Sequence, residues 1–157
     1  MTKLAKTSTR LDALSKEHQD GLLFVWKVRQ GLANDTPVEL IADYAIWYWK
    51  NYMKPHFSWE EQVLFSFLPP NDGLVYRLKQ QRNDLHELFM ELTKCSDTLL
   101  LGMLASLLEF HIRFEERVFF PYLEQHLSPA ESDMLSLLLE KFPVRHAEWK
   151  EPFWDTN

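Results

Sequence analysis

The sequence predicts an all-α fold, an antiparallel up-down four-helix bundle with a short fifth helix at its C-terminal side. Three observations predict it. Only 4 Gly stand among 157 residues, too few for turn-dense sheet, while 46% of the chain is hydrophobic and 14% aromatic. Apolar residues recur at steps of three and four through four long stretches. The breaks between those stretches are short and rich in capping residues, so consecutive helices must run back along one another.

A first helix is expected over about residues 9–33, with Leu11, Leu14, His18, Leu22 and Val25 on one stripe. Thr36-Pro37-Val38-Glu39 has the form of a capping box with Pro at the first helical position, so a second helix starts at residue 37. Its stripe reads Ile41, Ala45, Trp49, Tyr52, His56, Glu60, Val63 and Phe67, with a kink expected at Pro55 and a stop at Pro69-Pro70-Asn71. The third helix runs from the Asn71-Asp72-Gly73 turn to about Lys94, with Val75, Leu78, Arg82, His86, Phe89 and Thr93 in line. After a turn at Cys95-Ser96-Asp97, the fourth carries Leu100, Leu104, Leu108, His111, Glu115, Val118 and Tyr122. Ser128-Pro129-Ala130-Glu131 repeats the capping-box chemistry and starts the fifth, which Pro143 stops; Phe153 and Trp154 are expected to pack the tail. Residues 1–157 read as one domain, with the bundle over about 9–127 and an appendage over about 128–157.

Composition removes several functions. With 17 Lys+Arg against 23 Asp+Glu the formal charge is −6, and no basic cluster offers a footprint for nucleic acid or anionic lipid. The single Cys95 excludes a disulfide framework and any multi-thiolate metal site, and suits a reducing compartment. Residues 1–10 form no apolar run of signal-peptide length and read as a disordered lead-in, and no stretch approaches the roughly 20 apolar residues that span a bilayer. A cytoplasmic protein is expected.

The chemistry lies in a weak internal repeat. The ten residues from His56 to Phe65 match those from His111 to Phe120 at five identical positions, including His-x3-Glu, and at three more where one apolar residue replaces another. Each copy puts His and Glu on one helix face about a turn apart, and each is preceded, one helix earlier, by a single inward His. The candidate ligands are therefore His18, His56, Glu60, His86, His111 and Glu115. Four imidazoles and two carboxylates in an apolar core would each cost about 1–3 kcal/mol if unpartnered, and metal ions remove that cost. Two ions bridged by the two Glu are the simplest arrangement, leaving coordination positions for water, O2 or NO; spacing alone also admits manganese or zinc. Height supports one pairing: His56 and His86 lie about 15 residues either side of the turn near Asn71, so both stand about 22 Å from it. His18 and His56 are staggered by about 6 Å around the turn near Asp35, which tilt or the Pro55 kink must absorb. His126 and His146 fall off the inner faces, Glu61 and Glu116 read as solvated rim, and Tyr52 is placed to hydrogen-bond a bound small ligand.

On His18, His56-x3-Glu60, His86 and His111-x3-Glu115 the chain resembles the hemerythrin-like HHE cation-binding family over about residues 9–127. The resemblance implies a non-haem di-iron centre inside the bundle. Oxygen-carrying hemerythrins offer His-x3-His on the third helix, whereas Met90 stands four residues after His86 here. The four-His, two-Glu set is closer to the di-iron domain of the repair-of-iron-centres proteins and to the iron-sensing domain of an F-box protein. Two function classes follow: a module that binds O2 or NO, or senses iron, without turnover, and an enzyme acting on NO or peroxide or in repair of iron centres. The first is preferred, because no general base or substrate pocket is legible for the second.

Overall fold

The computed structural model describes residues 11–142 and 148–155, and the apolar lines fold as helices within the first of these segments. In chain order these are α1 (Asp12–Ala33), α2 (Val38–Tyr48), α3 (Lys54–Gln62), α4 (Gly73–Lys94), α5 (Thr98–Phe114), α6 (Phe120–His126) and α7 (Pro129–Glu140), with no strand among the described residues. The lead-in, Pro143 and His146 lie outside these segments. α1 packs on α2 and α5, and α4 packs on the same two helices, so these four surround a common interior.

α2 passes into α3 through a π-helical turn at Trp49–Met53, and α5 into α6 through another at Glu115–Phe119. Both have the same cause. Pro55 and Pro121 each follow a π turn by two residues, so the carbonyl four residues back, where a proline ring would clash, belongs to the middle of the widened turn, at Asn51 and Arg117. The kink expected at Pro55 is thus absorbed one turn earlier, as a π turn. Each π turn adds a residue to the helical repeat and shifts the inner stripe behind it. Past Glu115 the buried apolar residues of this segment are Phe119, Phe120 and Leu123, while Val118, expected inward, is 40% exposed. In the first copy Met53 is buried where Tyr52 was expected, and Leu64 where Val63 was.

Side chains cap three of the helix starts. The Asp72 side chain accepts from the N–H groups of Leu74 and Val75, Asp97 from Leu99, and Ser128 with Glu131 closes a reciprocal capping box. Thr36 departs: α2 starts at Val38 with Pro37 as its N-cap, and the Thr36 hydroxyl donates instead to the Phe153 carbonyl, 3.5 Å away.

Two apolar clusters fill the interior. One gathers Leu22, Val25, Val28, Ile41, Ala45, Trp49, Leu85, Phe89, Leu104 and Leu108; the other gathers Leu11, Leu14, Leu64, Leu78, Phe119, Phe120 and Leu123, closed by Leu135 and Leu139 of α7. The C-terminal residues Trp149, Phe153 and Trp154 pack against the first cluster, with all three rings on Tyr44. Every long helix crosses from one cluster to the other, and at each crossing the sequence substitutes polar residues: His18 between Leu14 and Leu22, His56 and Glu60 before Leu64, Arg82 between Leu78 and Leu85, His111 and Glu115 before Phe119. A buried polar layer therefore lies between two greasy ones.

Candidate metal centre

The polar layer is almost dry. His18, His56, Glu60, Arg82, His111, Glu115 and Glu116 are all buried, with Glu60 and Glu115 at 0% exposure. One ligand atom from each of His18, His56, Glu60 and Glu115 lies within 4.8 Å of all the others, and His111 adjoins through Glu115, its Nε2 standing 2.7 Å from Glu115 Oε1.

The three imidazoles are held in the same way. Each Nδ1 has a carboxylate or amide partner of its own: His18 donates to Glu116 Oε1 at 2.8 Å, His56 to Glu17 Oε1 at 3.1 Å, and His111 to Gln81 Oε1 at 2.7 Å. Ser15 in turn donates to the other oxygen of Glu116. This is the arrangement by which an outer carboxylate or carbonyl fixes an imidazole and leaves its inner nitrogen for a metal. The inner atoms behave accordingly. His18 Nε2, His56 Nε2, His111 Nε2, Glu60 Oε2 and both oxygens of Glu115 are buried with no hydrogen-bond partner. His56 Nε2 comes within 3.0 Å of Glu60 Oε1 without bonding it. Such separations match an edge of a coordination polyhedron with bonds of about 2.1 Å, where both atoms aim at a common third one. Six orphaned polar atoms converging in one core would be costly to keep, and a cation satisfies them together. The donors present, imidazole nitrogen and carboxylate oxygen, suit iron, manganese or zinc.

One candidate ligand, His86 of the third long helix, is not brought here. His86 is exposed, its ring against Trp49, and Met90 is exposed as well. The buried line of α4 runs Val75, Leu78, Arg82, Leu85, Phe89 and Leu92, which places His86 one residue, about 100°, off the inner face. Arg82 takes the place in the layer. Its Nη2 donates to Glu60 Oε1 at 2.5 Å and lies 3.8 Å from Glu115 Oε1, while Nη1 donates to the Phe57 carbonyl at 3.4 Å. The guanidinium is sandwiched between the rings of Phe57 and Phe65, 4.7 Å from each centroid.

Sequence reasoning also put Glu116 on the rim, yet it is buried against His18. The π turn that begins at Glu115 rotates its neighbour inward. Glu61 stays exposed, as expected. Glu17 and Gln81 were missed; the signal available was their position, each adjacent in sequence to a residue already on the inner stripe, at His18 and Arg82.

Charge is divided unevenly across the layer. Burial would raise the Glu60 carboxyl, but His56 and Arg82 outweigh it and hold it well below the usual range. Burial pushes Glu115 up to about 8, and the charge on Glu60 adds to it. Burial would lower His56, yet Glu60 and Glu17 push it up to about 10, whereas burial and Arg82 depress His111 to about 3.

Beside the layer is a small cavity of about 30 Å³, lined by Glu17, His18, His56, His111 and Glu115 together with Tyr48, Tyr52, Met53, Phe57, Leu108 and Ile112. That space has room for a molecule of one or two heavy atoms. Gly21 lets α1 approach here: a Cβ on it would stand 2.7 Å from Ile112 Cδ1.

A family model, the Hemerythrin HHE cation binding domain, matches residues 9–123. No curated protein and no solved structure matches the chain. No helix among the described residues is long and apolar enough to cross a membrane.

Proposed function

This chain belongs to the hemerythrin HHE cation binding family, and on that premise we propose that it is a non-haem iron module that takes O2 or NO without turnover, as a binding or sensing protein. The observation that carries the reading is the set of three Nδ1-anchored imidazoles whose inner nitrogens, with the oxygens of two carboxylates, are buried and unpartnered around one point. His18, His56, Glu60 and Glu115 hold the ion, with His111 at its edge. The reading takes the long helices as an antiparallel up-down bundle, supported by the mutual packing of α1, α2, α4 and α5.

When bound, iron supplies a redox-active Lewis acid with an exchangeable position. The chain's own residues do the rest. Glu116, Glu17 and Gln81 fix the imidazoles, the apolar clusters exclude bulk water, and the cavity walled by Tyr48, Met53, Phe57, Leu108 and Ile112 gives a diatomic molecule room beside the ligands. The exposed single thiol of Cys95 suits a cytoplasmic setting.

The test has two stages. Protein refolded with excess ferrous iron and then desalted should retain iron, and an iron content near zero would sink the reading. Reduced, loaded protein should then take up NO or O2 stoichiometrically and stop; steady consumption of NO or peroxide would identify an enzyme instead.

A further inference from the structure

Two ions need donors from all four long helices, and α4 supplies none. Its contributions to the polar layer are Gln81, whose amide oxygen is taken by His111, and Arg82, a guanidinium with no lone pair to offer. The only imidazole on α4, His86, is exposed and stands against Trp49.

Resting on the metal-binding reading above, we infer that Arg82 is a built-in cation that takes the place of a second metal, so that the layer holds one ion per chain. Arg82 behaves as such an ion would. Its Nη2 lies between the two carboxylates that would otherwise bridge a metal pair, 2.5 Å from Glu60 Oε1 and 3.8 Å from Glu115 Oε1. With Oε1 engaged by the guanidinium, Glu60 keeps only Oε2 free, which makes it a terminal ligand and not a bridge. The position is fixed by the Phe57 and Phe65 rings on the guanidinium and by the Phe57 carbonyl that Nη1 meets, so Arg82 cannot swing out to make room.

Charge agrees with geometry. A guanidinium cannot lose its proton in a protein. With both carboxylates ionised, as ligation of a metal requires, Glu60 and Glu115 against Arg82 leave a single negative charge. One divalent ion reverses that charge modestly; a second would sit against Arg82 in a buried site that screens the repulsion weakly. The donors that remain free, three Nε2 atoms and oxygens of Glu60 and Glu115, suffice for one ion with a position left open.

The number of ions is measured directly, without any activity. Metal-free wild type and Arg82→His are dialysed to equilibrium against Co(II), and bound metal is counted per chain. Wild type should bind one, and Arg82→His, which exchanges the guanidinium for a donor on the same helix face, should bind two. Because Arg82→His could fail to fold, wild type loaded with Mn(II) is also examined by electron paramagnetic resonance, where an isolated ion gives a resolved hyperfine pattern and a bridged pair an exchange-coupled one. Two ions or a coupled spectrum in wild type would overturn the inference while leaving metal binding intact. A folded Arg82→His that still takes one ion would show that Arg82 does not set the number. Absence of uptake by wild type would instead overturn the metal-binding reading on which this one rests.

Discussion

The two His-x3-Glu copies share five of ten residues but differ in their chemistry. In the first, His56 is pushed up to about 10 and Glu60 is held well below the usual carboxylate range; in the second, His111 is depressed to about 3 and Glu115 raised to about 8. The first is an ion pair and the second a neutral pair. Burial weighs on all four groups, and Arg82 is one neighbour that separates the copies: it donates to Glu60 at 2.5 Å but approaches Glu115 only to 3.8 Å, and its positive charge opposes protonation of His111. The outer partners reinforce it. Glu17 behind His56 is a carboxylate that favours an imidazolium, whereas Gln81 behind His111 is a neutral amide. Repetition of a motif therefore does not imply repetition of its protonation state, which is set by what the other helices bring.

The largest expected effects test that asymmetry at its centre. Glu60→Gln leaves Arg82 buried without its carboxylate and should destabilise the metal-free protein by about 3–5 kcal/mol, the range for breaking one side of a buried pair. Glu115→Gln removes a carboxyl already held protonated at neutral pH and should cost less than about 1.5 kcal/mol. Both should lose cation affinity strongly. Urea unfolding of metal-free protein separates them, and equal losses would mean that Arg82 does not distinguish the copies.

Next come the histidines and their outer partners. His18→Ala and His56→Ala should abolish tight uptake, and Glu116→Ala should weaken it about 10–100-fold, the usual cost of removing a group that orients a ligand. His86→Ala and His126→Ala, both at exposed positions, should leave uptake unchanged. Isothermal titration with a divalent cation reads all five, and a loss in His86→Ala matching that in His18→Ala would return α4 to the ligand set.

How the sequence carried this much, and where it stopped, follows from helix geometry. His18, His56, Glu60, His111 and Glu115 lie on apolar lines whose spacing survives folding, because each belongs to a helical segment in register with its own buried neighbours. His86 fails since the α4 line has two admissible readings that part after Arg82, through Leu85 or through His86, and packing selects the apolar one. Val118 and Glu116 fail for another reason. Periodicity at 3.6 residues assumes an unbroken α-helix, and the π turn at Glu115–Phe119 adds a residue that only the Pro121 clash with the carbonyl of Arg117 hints at. Arg82 was legible as a position on the inner stripe but not as a substitute for a ligand, since its role depends on Glu60 and Glu115 arriving from other helices.

Acidity should act in opposite senses on the metal-free and loaded protein. Folded-state values of Glu115 and His56 are raised above their unfolded ones, so each contributes stability that is present at low pH and lost as pH rises through about 8 and about 10 respectively. Metal-free protein should accordingly become more stable between pH 9 and pH 7. Both protons must leave before these groups can ligate, so cation affinity should fall over the same interval, by one to two decades per pH unit below about 8. His111, depressed to about 3, takes a proton in the unfolded chain below pH 6.5 that the folded one refuses, which offsets the Glu115 gain and flattens the metal-free trend; the trend reverses below pH 4.5, where unfolded Glu115 is protonated too. Thermal melts across pH with and without cation would show crossing profiles, and parallel ones would contradict the assignment.

The smallest effect lies seven residues beyond each Glu, where Phe67 stands in the first copy and Tyr122 in the second. The Tyr122 hydroxyl donates to Oδ2 of Asp72, whose other oxygen caps α4 through the N–H groups of Leu74 and Val75. The second copy is thereby fastened to the start of the helix that carries Arg82, and the first is not. Desolvation would raise Asp72, but the Tyr122 hydroxyl and the two backbone N–H groups outweigh it and lower the carboxyl, so its stabilising contribution is present above the ordinary aspartate range and lost as pH falls through the depressed value. Tyr122→Phe makes the second copy like the first at this position. It should cost about 0.5–1.5 kcal/mol at neutral pH, the net worth of one hydrogen bond to a cap, with metal stoichiometry unchanged. The deficit should shrink toward zero on acidification, because protonated Asp72 no longer gains from the phenol. Denaturant melts of the two proteins at neutral and at strongly acid pH would measure it, and a deficit independent of pH would assign the loss to packing of the ring instead of to the bond with Asp72.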